Sequence, residues 1–103
     1  MSKLRPTLGT STNPTAPLDT ALYLIQQSVL RRDGLLHGKL DDGQGHFCAI
    51  GCLFEDHRLV IETRLVDEVA AVNDSMPRVN MVTRRRRVLD WLNWKLAIVR
   101  SGQ

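Results

Sequence analysis

A small, mainly α, single domain is predicted by three features of the chain. Apolar residues recur at helical steps in three separate stretches, the intervening segments are rich in Gly, Asp, Asn and Pro, and no stretch shows sustained apolar/polar alternation. With 103 residues and 43% apolar content, one modest core is affordable and two are not.

Residues 1–17 hold three prolines and five Ser/Thr between Thr7 and Thr15, with little that is apolar, and are expected to form a flexible arm ahead of a globular domain over 18–103. The first helix is expected near 17–32, opening at Pro17, whose fixed φ suits a first turn, and stopping at Asp33-Gly34. Leu18, Leu22, Ile25 and Val29, with Ala21 beside them, make its apolar face. Leu35 to Gly45 carries Gly38, Gly43, Gly45 and Asp41-Asp42, which spells a loop or a weak hairpin.

Phe47 to Phe54 is continuously apolar, a length that fits a short buried helix or a central strand. Ala49 and Gly51, with Cys48 and Cys52 one turn apart, favour a helix packed closely on a neighbour. Leu59-Val60-Ile61 suits a short strand. The next helix is expected near 62–73 through Leu65, Val66, Val69 and Val72, and a turn at Asn73 to Pro77 follows it. The terminal helix is expected near 82–100, with Thr83 as its cap. Its apolar residues Val88, Leu89, Trp91, Leu92, Leu96, Ile98 and Val99 cover about half the circumference, and Trp94 widens the arc.

The formal net charge is +3, but Lys3 and Arg5 lie in the arm, and from Leu18 onward 12 bases face 11 acids. Distribution therefore matters more than the total. Residues 55–74 carry six acids against Arg58 and Arg64, whereas residues 78–100 carry seven bases against Asp90. The absence of an apolar run of about 18 residues, and of a signal-like N-terminus, predicts a soluble protein of the cytoplasm with reduced thiols and no membrane partner.

Arg84 to Arg87 form the chief chemical anomaly. Four cations occupy the start of a helix, where the macrodipole disfavours each by about 0.3–1 kcal/mol. Four consecutive residues sweep the whole perimeter, so one guanidinium must find a partner near the core edge; Arg85 shares a side with Val88 and Leu92, and Arg86 lies opposite the apolar arc. The functional reading is a non-enzymatic binding module that presents Arg84, Arg86, Arg87 and Trp94 to an acidic protein surface or to nucleic acid. Trp91 and Trp94 on one helix also raise self-association through that helix. The alternative is a purely structural helical protein whose arginines pair internally with Asp67 and Glu68. One long basic helix is compatible with a helix-turn-helix, but zinc-finger spacing and aromatic-basic interleaving are absent from the sequence.

Two sharper alternatives involve the cysteines. Cys48 follows a glycine-containing loop and opens the short helix, so an enzyme reading makes it a nucleophile, with His46 or His57 as base and Asp74 or Asn73 as orienter. His37, His46, Cys48 and Cys52 are the residues with zinc-ligand chemistry, but their spacing is poor, and neither metal nor cofactor is expected.

The run Cys48-Ala49-Ile50-Gly51-Cys52-Leu53, followed by Glu55-Asp56 and later by Val72-Asn73-Asp74, resembles small proteins of unknown function encoded by bacteriophages and bacteria. Those carry Cys-Ala-Ile/Val-Gly-Cys-Leu after a glycine and a later Asn-Asp or His-Asp pair. The resemblance spans residues 44–75 and departs at Phe54-Glu55, where an isoleucine-proline step is common. It implies a phage or prophage accessory protein working in the bacterial host cell, and no activity.

Overall fold

The computed structural model describes residues 15–102, and its architecture is four helices with almost no strand. Helix α1 spans Leu18–Leu30, α2 Ala49–Asp56, α3 Thr63–Asp74 and α4 Met81–Arg100. Helix α1 packs on α2 and α4, and α3 on the same two, so the four close a ring around one core. Arg84 meets the last turn of α3 while Lys95 meets Glu68, which makes α3 and α4 antiparallel neighbours.

Pro17 is the N-cap of α1, and the helix presents Leu22, Ile25 and Val29 to the core without exposure. It ends two residues earlier than expected, where the Arg32 N–H turns back to the Val29 carbonyl at 3.0 Å. The arm expected over 1–17 lies outside the described residues up to 14. Thr15 to Pro17 belong to the domain instead: Ala16 donates to the Val60 carbonyl at 2.8 Å and packs against the core. That contact is an isolated parallel bridge between Thr15 and Val60, and it is all that forms of the strand expected at Leu59-Val60-Ile61. Without a run of paired neighbours, β-branched residues alone do not make a strand.

The expected hairpin over 35–45 likewise reduces to one antiparallel bridge, Asp41 with Phe47. Around it Leu36 donates to the Phe47 carbonyl and Cys48 to the Leu40 carbonyl. Gly38, Gly43 and Gly45 hold φ of 78°, 75° and 89°, the left-handed region that lets this segment fold back on itself. Asp42 closes it, accepting backbone N–H groups of Gln44 and His46 through Oδ1.

The buried apolar block is indeed a helix, shifted toward Glu55-Asp56. Cys48 is the N-cap of α2, its Sγ accepting the Gly51 N–H at 3.3 Å. Gly51 is a close-approach residue, since a Cβ there would run into the Leu40 carbonyl and lie 3.1 Å from its carbon. Gly34 plays the same part after α1, where a Cβ would come within 2.7 Å of Met81 Cβ and 3.0 Å of the Met81 backbone. The two ends of the loop are thus pinned by missing side chains.

Helices α1 and α2 are joined at their C-terminal ends by Arg32 and Asp56, which form a two-pronged pair at 3.0 Å on both oxygens. The Arg32 guanidinium also lies 5.2 Å from the Phe47 ring centroid. Arg31 adds a longer contact to Asp56 at 3.6 Å. The Arg32 hydrogen bonds hold the Asp56 carboxyl below the usual carboxylate range, against the opposing effect of burial.

Helix α4 is capped by Asn80, not by Thr83 as the sequence suggested: the Asn80 side chain accepts the Thr83 N–H at 2.8 Å and its carbonyl accepts that of Arg84. Asn is as good a cap as Thr, and it begins the helix early enough to satisfy both donors.

Gly51→Ala is expected to destabilise the protein by about 1–3 kcal/mol through overpacking against Leu40, read as a lower midpoint in urea unfolding. The lowered Asp56 carboxyl gives stability that is present above its unfolded pKa of about 3.9 and is lost as pH falls through the lower folded value. Urea titrations in the acid range should show that loss in the wild type and a flatter profile in Asp56→Asn.

Candidate functional site

The four arginines at the start of α4 divide into two pairs. Arg84 is 2% exposed, four residues before Val88 on the same stripe as Leu92 and Leu96. Its Nε donates to the Asn73 carbonyl at 2.9 Å, Nη1 to that of Leu35 at 3.3 Å, and Nη2 to those of Met76 at 2.5 Å and Val79 at 3.4 Å. The carbonyls come from the last turn of α3, the loop after it, and the segment after α1. Arg84 is therefore not a surface residue, which corrects its assignment to partner binding. The buried cation is accommodated because carbonyl dipoles converge on its planar fork, at the negative end of α3.

Arg85 reaches the other neighbour. Its Nη2 donates to the Leu30 carbonyl at the end of α1 at 3.4 Å, and its Nε is buried without a hydrogen-bond partner among the described residues. The start of α4 is thus fastened to the C-terminal ends of both flanking helices, and their dipoles offset the unfavourable placement of cations at its own N-terminus.

Arg86 and Arg87 point outward. Both are exposed, as is Asp90 one turn on. Among the described residues the ion pairs are Arg31 and Arg32 with Asp56, His46 with Asp42, and Lys95 with Glu68; none involves Arg86 or Arg87. Pairing of the arginine cluster with Asp67 and Glu68 is therefore not how its charge is resolved: Glu68 takes Lys95 at 3.4 Å. Further along the helix Trp91 packs partly against the core, while Trp94 is 57% exposed and Ile98 36%.

The buried partner of Arg84 is Asn73. Its Oδ1 accepts the Ala49 N–H at 3.1 Å, at the start of α2, and its Nδ2 donates to the Leu36 carbonyl at 2.7 Å and to Asp74 Oδ1 at 2.8 Å. Asp74 Oδ1 in turn accepts the Gly38 N–H at 2.9 Å. The Asn-Asp pair singled out by the resemblance thus ties α3 to the loop and to α2.

The cysteine and histidine alternatives are dispersed by the same geometry. Cys48 is 7% exposed, and burial pushes its thiol up; burial pushes Cys52 up to about 12. In both, desolvation outweighs what favours the thiolate, which is backbone hydrogen bonding at Cys48 and chiefly the Arg32 charge at Cys52. His46 Nδ1 lies 2.7 Å from Asp42 Oδ2, His37 Nε2 lies 3.2 Å from the Asp74 carbonyl, and His57 is the C-cap of α2. Cys48, His46 and Asp74 therefore engage three different partners. His37, His46, Cys48 and Cys52 are not gathered either, and among the described residues no group of three or more His, Cys, Asp or Glu side chains is placed to hold a metal ion. A cavity of about 200 Å³ does lie between Cys48, Ile50, Val66, Ala70 and Asp74.

No family model, curated protein or solved structure matches the chain. No helix among the described residues is long and apolar enough to cross a membrane.

Sequence reasoning missed Arg84 and Asn73 as the polar centre. Arg84 had a signal: it extends the stripe of Val88, Leu92 and Leu96 backward by four. Asn73 stood out only through the resemblance and as a candidate orienter for Cys48, since Asn beside Asp and Ser reads equally well as a turn.

Arg84→Met should lower stability by about 3–5 kcal/mol, because it leaves several buried carbonyls without donors. Arg84→Lys should recover only part, as a point charge cannot fill the fork. Urea unfolding with far-ultraviolet circular dichroism measures both.

Proposed function

We propose that the chain is a non-enzymatic binding module whose terminal helix offers Arg86, Arg87 and Trp94 to an acidic protein surface. The observation that carries this reading is the division of the arginine cluster: two guanidinium groups are held by the chain's own carbonyls, and two, with a half-exposed tryptophan on the same helix, face solvent without a carboxylate among the described residues. A planar guanidinium matches a carboxylate in geometry, so an outward arginine gains by meeting one from outside. Trp and Arg are among the residue types favoured at interface hot spots.

Protein is favoured over nucleic acid by count. Two outward arginines supply about two phosphate contacts, which gives weak binding with a shallow salt slope. The setting we propose with it is a phage or prophage accessory protein in the cytoplasm of a bacterial cell, on the strength of the resemblance at Cys48 to Leu53 alone.

Titration with a helical peptide carrying glutamates beside leucines should blue-shift tryptophan emission and saturate, whereas a DNA duplex of equal charge should bind more weakly. Arg86→Glu with Arg87→Glu should weaken the peptide at least about tenfold, the effect of 1.4 kcal/mol, with no change in thermal midpoint. Equal binding by the charge-reversed protein would refute the reading.

A further inference from the structure

We infer that the cleft where the end of α1, the loop that follows it and the first turn of α4 meet binds a small sugar phosphate, with Arg31 on the phosphate and Asp33 on the sugar hydroxyls. The cleft is separate from the outer face of α4, since Arg86, Arg87 and Trp94 do not line it.

A cavity of about 360 Å³ opens there between Arg31, Arg32, Asp33, His46, Met81 and Val82, within the roughly 300–1,000 Å³ of small-molecule sites. Two glycines shape it. Gly34 lets the end of α1 lie against α4, where a Cβ would come within 2.7 Å of Met81 Cβ. A Cβ on Gly45 would meet nothing within 4 Å, so the loop side stays open.

Hydrogen-bond donors are left over on this wall. Asp56 gives both oxygens to Arg32 at 3.0 Å, whereas Arg31 reaches it only at 3.6 Å, beyond a hydrogen bond, with its side chain 68% exposed. The charge of Arg32 is therefore matched and that of Arg31 is not. His46 Nδ1 lies 2.7 Å from Asp42 Oδ2, which leaves Nε2 without a partner among the described residues. A neutral ring accepts a hydroxyl proton at Nε2, and a protonated one donates to an oxyanion. Asn80 takes the N–H groups of Thr83 and Arg84, so those of Met81 and Val82, the first of α4, have no acceptor among the described residues.

A phosphate suits this arrangement because a guanidinium fork and uncommitted N–H groups both match its oxygens. Arg31 and Arg85, which donates to the carbonyl of the neighbouring Leu30, outweigh Asp33 in charge. Asp33 selects the rest of the ligand. It is exposed and takes no part in the ion pairs among the described residues, and a carboxylate beside an anion is useful where it accepts hydroxyl protons of the same molecule. Inorganic phosphate alone would leave most of the cavity empty. A sugar fills it and lays its carbon face on Met81 and on Val82, which is 64% exposed.

Amide chemical shifts of the full chain, followed as ribose 5-phosphate is added to about 10 mM, test this down to weak affinities. Saturable shifts are expected at residues 31–34, 45–46 and 81–82. Inorganic phosphate should move the same residues with at least about tenfold weaker affinity, and ribose should leave them unmoved. Arg31→Gln, which removes the charge-assisted contact, and Val82→Glu, which sets a carboxylate on the cavity wall, should each weaken ribose 5-phosphate at least about tenfold. The exposed Arg58→Gln should leave it unchanged. Both Arg31 and Val82 are exposed, and circular dichroism melts confirm that the variants fold. The inference is overturned by the absence of saturable shifts at these residues, by equal binding of ribose or of inorganic phosphate, or by indifference to both substitutions.

Discussion

A guanidinium group sealed among backbone carbonyls is the constraint on which the arrangement of helices depends. Arg84 reaches the last turn of α3, the turn after it and the segment following α1, and all of these must arrive together for its donors to be satisfied. A buried cation is tolerable only when its surroundings are preorganised and polar. Here that polarity comes from carbonyls at a helix end, which are themselves short of donors. The requirements of the cation and of the helix terminus are met by the same contacts.

Asn73 extends this network in the other direction. Its carbonyl serves Arg84 while its side chain serves Leu36, Asp74 and the first N–H of α2. One residue thus connects α4, α3, the 35–47 loop and α2. The loop has little secondary structure of its own, and it is shaped by these contacts together with two glycines whose missing Cβ atoms admit Leu40 and Met81. Cys48 and Cys52 belong to this packing: one caps α2 through its sulfur and the other is wholly enclosed, so neither is presented as a thiolate.

For function, the consequence is a helix fixed at its N-terminal end and displaying its outer side on a rigid support. On the proposed reading the helix backbone would need no ordering to meet a partner, and the ordering cost would fall on the exposed side chains. Arg86, Arg87 and Trp94 are the side chains so displayed, on a helix whose inner face is engaged by α1 and α3.

Helix content, and the approximate span of each helix, were legible because apolar periodicity is a local property: α1 buries Leu22, Ile25 and Val29, α3 Leu65 and Val69, and α4 Val88, Leu92 and Leu96, whereas Leu18, Trp94 and Ile98, marked by the same spacing, are exposed. The buried block at Cys48 to Leu53 was legible as closely packed, since glycine and alanine amid larger apolar residues indicate close approach. The strand at Leu59 to Ile61 failed because a strand needs a neighbour, and residue identity does not supply one. Thr83 lost the cap to Asn80 because both residue types serve equally well. That cations crowd an unfavourable helix end could be read from the chain alone, as could the need for one of them to find a partner. The spacing of Arg84 from Val88, Leu92 and Leu96 marked it as the inward one, but what receives it was decided by tertiary structure, because the carbonyls that accept from Arg84 come from Leu35, Asn73, Met76 and Val79, residues brought around it only when the ring of helices closes.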